Sequence, residues 1–205
     1  MIIFIGLLVP VLSGCTLATI RSLEEDEIAK EGFSPENYVN DIWDDQFLPT
    51  INEGAQEIGE LLAALQTDEE GTTEEFGNRT STGAYSFMAY GEAQVMELDR
   101  SSRVGVALLD LTPADGEADL FLAIGPVLRG NALRDAAGFI VFNDFTNQVE
   151  FAGVSTALKD RVAADVLAAT DLDSLVGKTI RFVGAFTYDD PDEVVIMPVS
   201  IEEVE

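Results

Sequence analysis

The residue types best suited to holding a small polar molecule fall in two short segments of this 205-residue chain. Arg129-Gly130-Asn131-Ala132-Leu133-Arg134-Asp135 sets two guanidinium groups, an amide and a carboxylate close together. Arginine presents a planar fork of donors that fits a carboxylate, a phosphate or the hydroxyls of a sugar. Asn131 suits the N-cap of a short helix, which would leave backbone N–H groups free beside the two arginines. The structural alternative is that both arginines pair with Asp135, Asp144 or neighbouring acids and fix a loop. Asn143-Asp144-Phe145-Thr146-Asn147-Gln148 packs amide and carboxyl side chains around an aromatic ring. Polar edges and ring faces are what a sugar cleft uses. They are equally what a tight turn uses, because Asn and Asp side chains bond their own backbone. The candidate ligand residues are therefore Arg129, Asn131, Arg134, Asp135, Asn143, Asp144, Asn147 and Gln148, on the expectation that the two segments meet in one polar cleft.

Other chemistries are excluded by composition. The chain has no His and one Cys, so it has no Ser-His-Asp triad, Cys-His pair, His-ligated zinc or internal disulfide. Its 38 Asp+Glu against 11 Lys+Arg give a net charge of −27, which repels a polyphosphate backbone and argues against nucleic acid as a partner. Asp171, Asp173 and Ser174, and Asp189, Asp190, Asp192 and Glu193, have calcium-like ligand types. Neither group has the alternating ligands, central Gly and terminal Glu of an EF-hand, so both read as connections between elements and no metal or other cofactor is expected. Carboxylate pairs arise by chance among so many acids, and no catalytic constellation can be named. The chain reads as non-enzymatic.

The single cysteine has a more specific context. Residues 2–12 form an apolar run too short to span a bilayer, which takes about 20 residues, but suited to a secretory signal. The run ends in Leu12-Ser13-Gly14-Cys15, which looks like a bacterial lipobox. Small residues at 13 and 14 admit the peptidase, and Cys15 supplies the thiol that takes a diacylglyceryl group. No Lys or Arg precedes the run, so we read the natural start as lying upstream of Met1. Residues 1–14 are expected to be the signal, 15–33 an acidic tether, and 34–205 one globular domain. Thr16 follows the cysteine, where Asp would suggest inner-membrane retention in enteric-type bacteria; this tilts the expectation towards the outer membrane. Residues 23–75 carry 17 acids and one base, so the acidity gathers in the tether and the first helices rather than near the two candidate segments.

The elements that must position those segments follow from periodicity. Ser34-Pro35-Glu36 is a helix start, and Tyr38, Val39, Ile42, Trp43 and Phe47 recur at helical spacing. Pro49 is expected to break that helix, and Ile51, Ala55, Ile58, Leu62 and Leu65 mark a second one from about Thr50 to Gln66. Residues 67–83 read as a polar loop. Period-two stretches predict strands over 85–98, 103–111, 119–124, 179–188 and 193–201, with a short apolar strand at 139–142. A helix is predicted over 155–169. Three strands, a helix and a two-strand hairpin is the order of an OB-type Greek-key barrel. The expected class is α+β: a small OB-like barrel at 84–205, with 125–150 inserted as a loop or short helix, and an N-terminal helical hairpin at 34–66.

The lipobox, Tyr38 to Trp43, Ile124 to Asp135, Phe142 to Val149 and Leu175-Val176-Gly177-Lys178-Thr179-Ile180 together resemble a family of bacterial periplasmic lipoproteins known as a domain of unknown function. Genes of that family often neighbour ribose- or xylose-type sugar ABC transporters. The resemblance therefore implies an accessory lipoprotein facing the periplasm, held to the membrane by the Cys15 lipid and contacting sugar-transporter components. The alternative is a binding protein for a sugar or organic anion, held at residues 129–148.

Overall fold

The computed structural model describes residues 32–204. Cys15 and nearly all of the expected tether lie outside that range.

Helix α1 (Pro35–Ile42) starts as its sequence dictates: the Ser34 hydroxyl accepts the Asn37 backbone N–H at 3.2 Å, with Pro35 in the first turn. The chain then runs through a π-turn, Trp43–Phe47, directly into α2 (Leu48–Gly54). Pro49 therefore does not break the helix. It sits in the first turn of α2, just past the π-turn that carries the Leu48 N–H to the Trp43 carbonyl, so its missing N–H falls where the ladder has already shifted. The break comes later, at Ala55, whose backbone is extended (φ −66°, ψ 132°). Gln56–Glu57 then pair in parallel with Ala89 and Tyr90 as β1. Helix α3 (Ile58–Thr67) follows, and α4 (Glu69–Phe76) occupies part of the stretch expected to be a loop. No apolar stripe announces α4. It is held by polar groups: the Asp68 carboxylate caps the Gly71 N–H at 3.0 Å, and the buried Thr72 and Thr73 hydroxyls return to the Asp68 and Glu70 carbonyls.

Strands β2 (Tyr85–Asp99), β3 (Val106–Leu111), β4 (Leu120–Ala123), β5 (Thr179–Tyr188) and β6 (Val195–Glu203) form one sheet in the order β1-β2-β3-β4-β6-β5. A further pairing of β2 with β5 closes the last five into a ring. The 15-residue length of β2 makes this possible, because residues 85–94 pair with β5 while 93–99 pair with β3. Gly184 lies at the irregularity between β5 and β6, where a Cβ would collide with the Met197 carbonyl oxygen. Between β4 and β5 come α5 (Ala132–Ala136) and α6 (Gln148–Val162), the latter continued by a π-turn at Ala163–Leu167.

Alternation along the strands divides the core in two. Phe87, Leu109, Leu122, Phe182, Phe186 and Ile196 face inward with Ile58, Leu61 and Leu65 of α3. The next residues along, Ala185 and Met197, face outward against Trp43, Phe47 and Ile51 and against Phe151, Val154 and Leu158 of α6. The aromatic stripe that runs from α1 through the π-turn is therefore core: Trp43 is 3% exposed and stacks on Phe47 with ring centroids 5.1 Å apart.

Two further expectations are corrected. Residues 139–142 form no strand; Phe142–Asp144 is a 3-10 turn, and Phe139 and Ile140 fill the helical core beside a sheet whose ring is already closed. Helix α6 begins at Gln148 rather than Ser155, because Asn147 caps it: its Oδ1 accepts the Val149 and Glu150 N–H groups at 2.9 and 3.0 Å.

Candidate ligand cleft

The loop after α4 and the loop that enters α5 face one another across an open cleft of about 740 Å³. Two cross-links set its width. The Asn78 Nδ2 donates to the Ala136 carbonyl at 3.0 Å, and the Thr80 hydroxyl donates to Asp135 Oδ1 at 2.7 Å. Asn78 is itself fixed by a β-bridge to Ser86, so this wall is tied to β2. Gly138 passes close beneath it at φ +72°, and a Cβ there would meet the Asn78 Oδ1 at 2.9 Å. Ser81, on the same wall, is the one non-glycine residue with positive φ (59°) among the described residues.

Arg134 forms the floor. Its side chain is only 6% exposed and its guanidinium carbon lies 3.8 Å over the Phe151 ring. Nε and Nη2 each reach Asp135 Oδ1 at 2.8 Å, and Nη1 reaches the Phe151 carbonyl at 3.4 Å. Of the five guanidinium N–H groups, one on Nη1 and one on Nη2 remain uncommitted. Asp135 Oδ1 thus accepts from Arg134 and from Thr80, whereas Oδ2 has no donor among the described residues. Asn131 precedes α5 but does not cap it with its side chain, as the sequence had suggested; its Oδ1 accepts the Ser155 hydroxyl at 2.7 Å. That bond leaves both Asn131 amide hydrogens available to the cleft. Asn143 and Gln148 are exposed on the rim, and the ring of Phe142 (42% exposed) stands beside them, edge-on to Phe151 at 5.6 Å.

The structure therefore brings Asn131, Arg134, Asp135, Asn143 and Gln148 to one cleft, and leaves Arg129, Asp144 and Asn147 out of its lining. Arg129 is exposed and pairs with no carboxylate among the described residues. Asp144 faces Tyr38, whose phenol is pushed above its ordinary value by burial and then by the Asp144 charge. Asn147 is a cap, and its Nδ2 donates to Glu150, which in turn accepts the Thr146 N–H at 3.0 Å. The structural reading of this segment holds for Asn147, and that of the arginines holds for Arg134 alone. Sequence reasoning missed Asn78, Arg79, Thr80 and Ser81. The signal available was Arg79 itself, a base standing directly after the acid-rich stretch that ends at Glu75.

The arrangement offers fixed donors and acceptors to a bound molecule. Among the described residues, no group of three or more His, Cys, Asp or Glu is placed to hold a metal ion. Nor is any helix there long and apolar enough to cross a membrane.

A closed ring of strands with helices packed on its outer face and across its interior defines an OB-fold protein of the α+β class. An OB-fold protein from Thermotoga maritima has the same fold, with a TM-score of 0.69 at 22% identity, over 85% of this chain and 100% of that one. The family follows from the sequence: residues 5–202 match the model described as Predicted periplasmic lipoprotein (DUF2291), and the chain belongs to that family. No curated protein matches it.

Proposed function

We propose that the chain is a lipoprotein anchored through Cys15, whose folded domain faces the periplasm and holds a small hydroxylated ligand in the cleft over Arg134. The lipobox at residues 12–15 and membership of a family described as periplasmic lipoproteins support the anchor. In this reading residues 1–14 are removed and 15–33 tether the domain.

One observation carries the ligand reading. Asp135 has one oxygen saturated by Arg134 and Thr80 and the other unpartnered, beside uncommitted N–H groups of Arg134 and Asn131. A hydroxyl group both donates and accepts, so a carboxylate oxygen next to fixed N–H donors satisfies it from both sides. The exposed Phe142 ring on the rim suits the C–H face of a sugar. An accessory place beside a sugar-uptake system rests on resemblance, and a hydroxylated ligand is compatible with it.

The test is thermal unfolding of the purified protein against a panel of sugars and sugar acids. A ligand that binds only the native state adds about 2.7 kcal/mol at 100 times its Kd, a shift of several degrees in Tm. No shift with any member of the panel would contradict the proposal.

A further inference from the structure

Resting on that reading, we infer that the preferred ligand is a sugar acid, its hydroxyls held at Asp135 and Asn131 and its carboxylate at Arg79. Arg79 lines the cleft on the wall opposite Asn131. Its guanidinium is seated 4.3 Å over the Tyr85 ring, and no described carboxylate lies within ion-pair distance of it. Among the described cations Arg100, Arg134, Arg161, Lys178 and Arg181 each have a carboxylate within ion-pair distance, and Arg79 is the cation of the cleft lining that has none. A ring face orients a guanidinium and leaves its charge uncompensated, so Arg79 keeps its full fork of donors for an anion.

The charge balance of the cleft agrees. Its lining holds Arg79 and Arg134 as cations and Asp135 as the only acid, a net positive site on a protein of net charge −27. Arg134 is neutralised by Asp135 at 2.8 Å, so the excess sits on Arg79. A neutral sugar would leave that charge unanswered. A dianion would lack a second free cation in the lining. A monocarboxylate with vicinal hydroxyls uses both the Asp135 end and the Arg79 end.

The test is calorimetric titration of the full chain in detergent with matched pairs: D-glucose and D-glucuronate, D-galactose and D-galacturonate, D-xylose and D-xylonate. The acid of at least one pair is expected to bind about tenfold or more tighter than its neutral partner. Arg79→Gln should abolish that preference in a protein that still unfolds cooperatively, and Arg79→Lys should restore part of it. Equal affinity within every pair, or a preference that survives Arg79→Gln, would overturn the sugar-acid inference and leave the hydroxylated-ligand reading standing. Absence of binding by every member would overturn both.

Discussion

Arg134 lies 3.8 Å over the ring of Phe151 and donates twice to Asp135 Oδ1 at 2.8 Å, so residues of α5 and α6 hold one guanidinium from two sides. The pair is buried enough for its parts to depend on each other, and it stands at the base of the cleft that Asn131, Asn143 and Gln148 also line.

Arg134→Met removes the cation and leaves Asp135, 16% exposed, without its main partner. A loss of about 3 kcal/mol is expected from urea unfolding, most of it the cost of an unpaired, largely buried carboxylate. Arg134→Met combined with Asp135→Asn should lose less than Arg134→Met alone, with a coupling of about 2 kcal/mol in the double-mutant cycle. Strictly additive losses would show that the ion pair is not a unit.

Asn147→Ala separates a cap from a ligand residue. Two backbone N–H groups at the start of α6 lose their acceptor, which should cost about 1 kcal/mol. Ligand affinity should be unchanged, because Asn147 is outside the cleft lining. Asn131→Ala should do the reverse and weaken binding more than folding.

Gly153 tests the packing of α1 on α6. A Cβ there would stand 2.6 Å from Pro35 Cγ. Gly153→Leu gains about 1 kcal/mol of helix propensity and loses about 3 to overpacking, so a net destabilisation of about 2 kcal/mol is expected by chemical denaturation.

Tyr38 and Asp144 give a pH test. Burial and the Asp144 charge raise the phenol above the ordinary value of 10.0. The folded state therefore holds the proton more tightly than the unfolded one. The resulting stability is fully present below the unfolded value and is lost as pH rises through the folded one. In Asp144→Asn the Tyr38 titration, followed by NMR, should move down towards the ordinary value, and burial alone should keep it from arriving there.

Much of this architecture can be read from residue order, and the exceptions have physical reasons. Strand β5 coincides with its period-two stretch because Ile180, Phe182 and Phe186 are buried on one face while Arg181 on the other is exposed and Val183 and Thr187 are half-buried. Helix α4 was invisible because its support is a carboxylate cap and two threonine hydroxyls, and polar bonding leaves no hydrophobic period to detect. The start of α6 is hidden by a conflict of signals: Asn147 looks like a turn or ligand residue, and Val149, apolar but 80% exposed, falls out of step with the inner face that Phe151 begins. Pro49 looked like a stop, and only the π-turn before it makes it tolerable.

The cleft was half legible. Asn131, Arg134 and Asp135 stand together in the chain and could be picked out by type. The opposite wall, Asn78 to Ser81, is more than fifty residues away and joins them only through the Thr80–Asp135 and Asn78–Ala136 bonds. No local pattern encodes that pairing, since it depends on the bridge that ties Asn78 to Ser86 of β2.

Cys15 has its own direct check. Mass spectrometry of the protein from membrane fractions should find an N-terminal diacylglyceryl cysteine at position 15; an unmodified Cys15 with an intact Met1 would contradict the anchor.

The side-chain amide resonances of Asn131, Asn143, Asn147 and Gln148 report on the cleft most directly. Titrated with D-glucuronate, D-galacturonate and D-xylonate, the Asn131, Asn143 and Gln148 signals should move together and saturate, while Asn147 stays in place. No movement with any of the three, or movement of Asn147 without Asn131, would contradict a ligand site over Arg134.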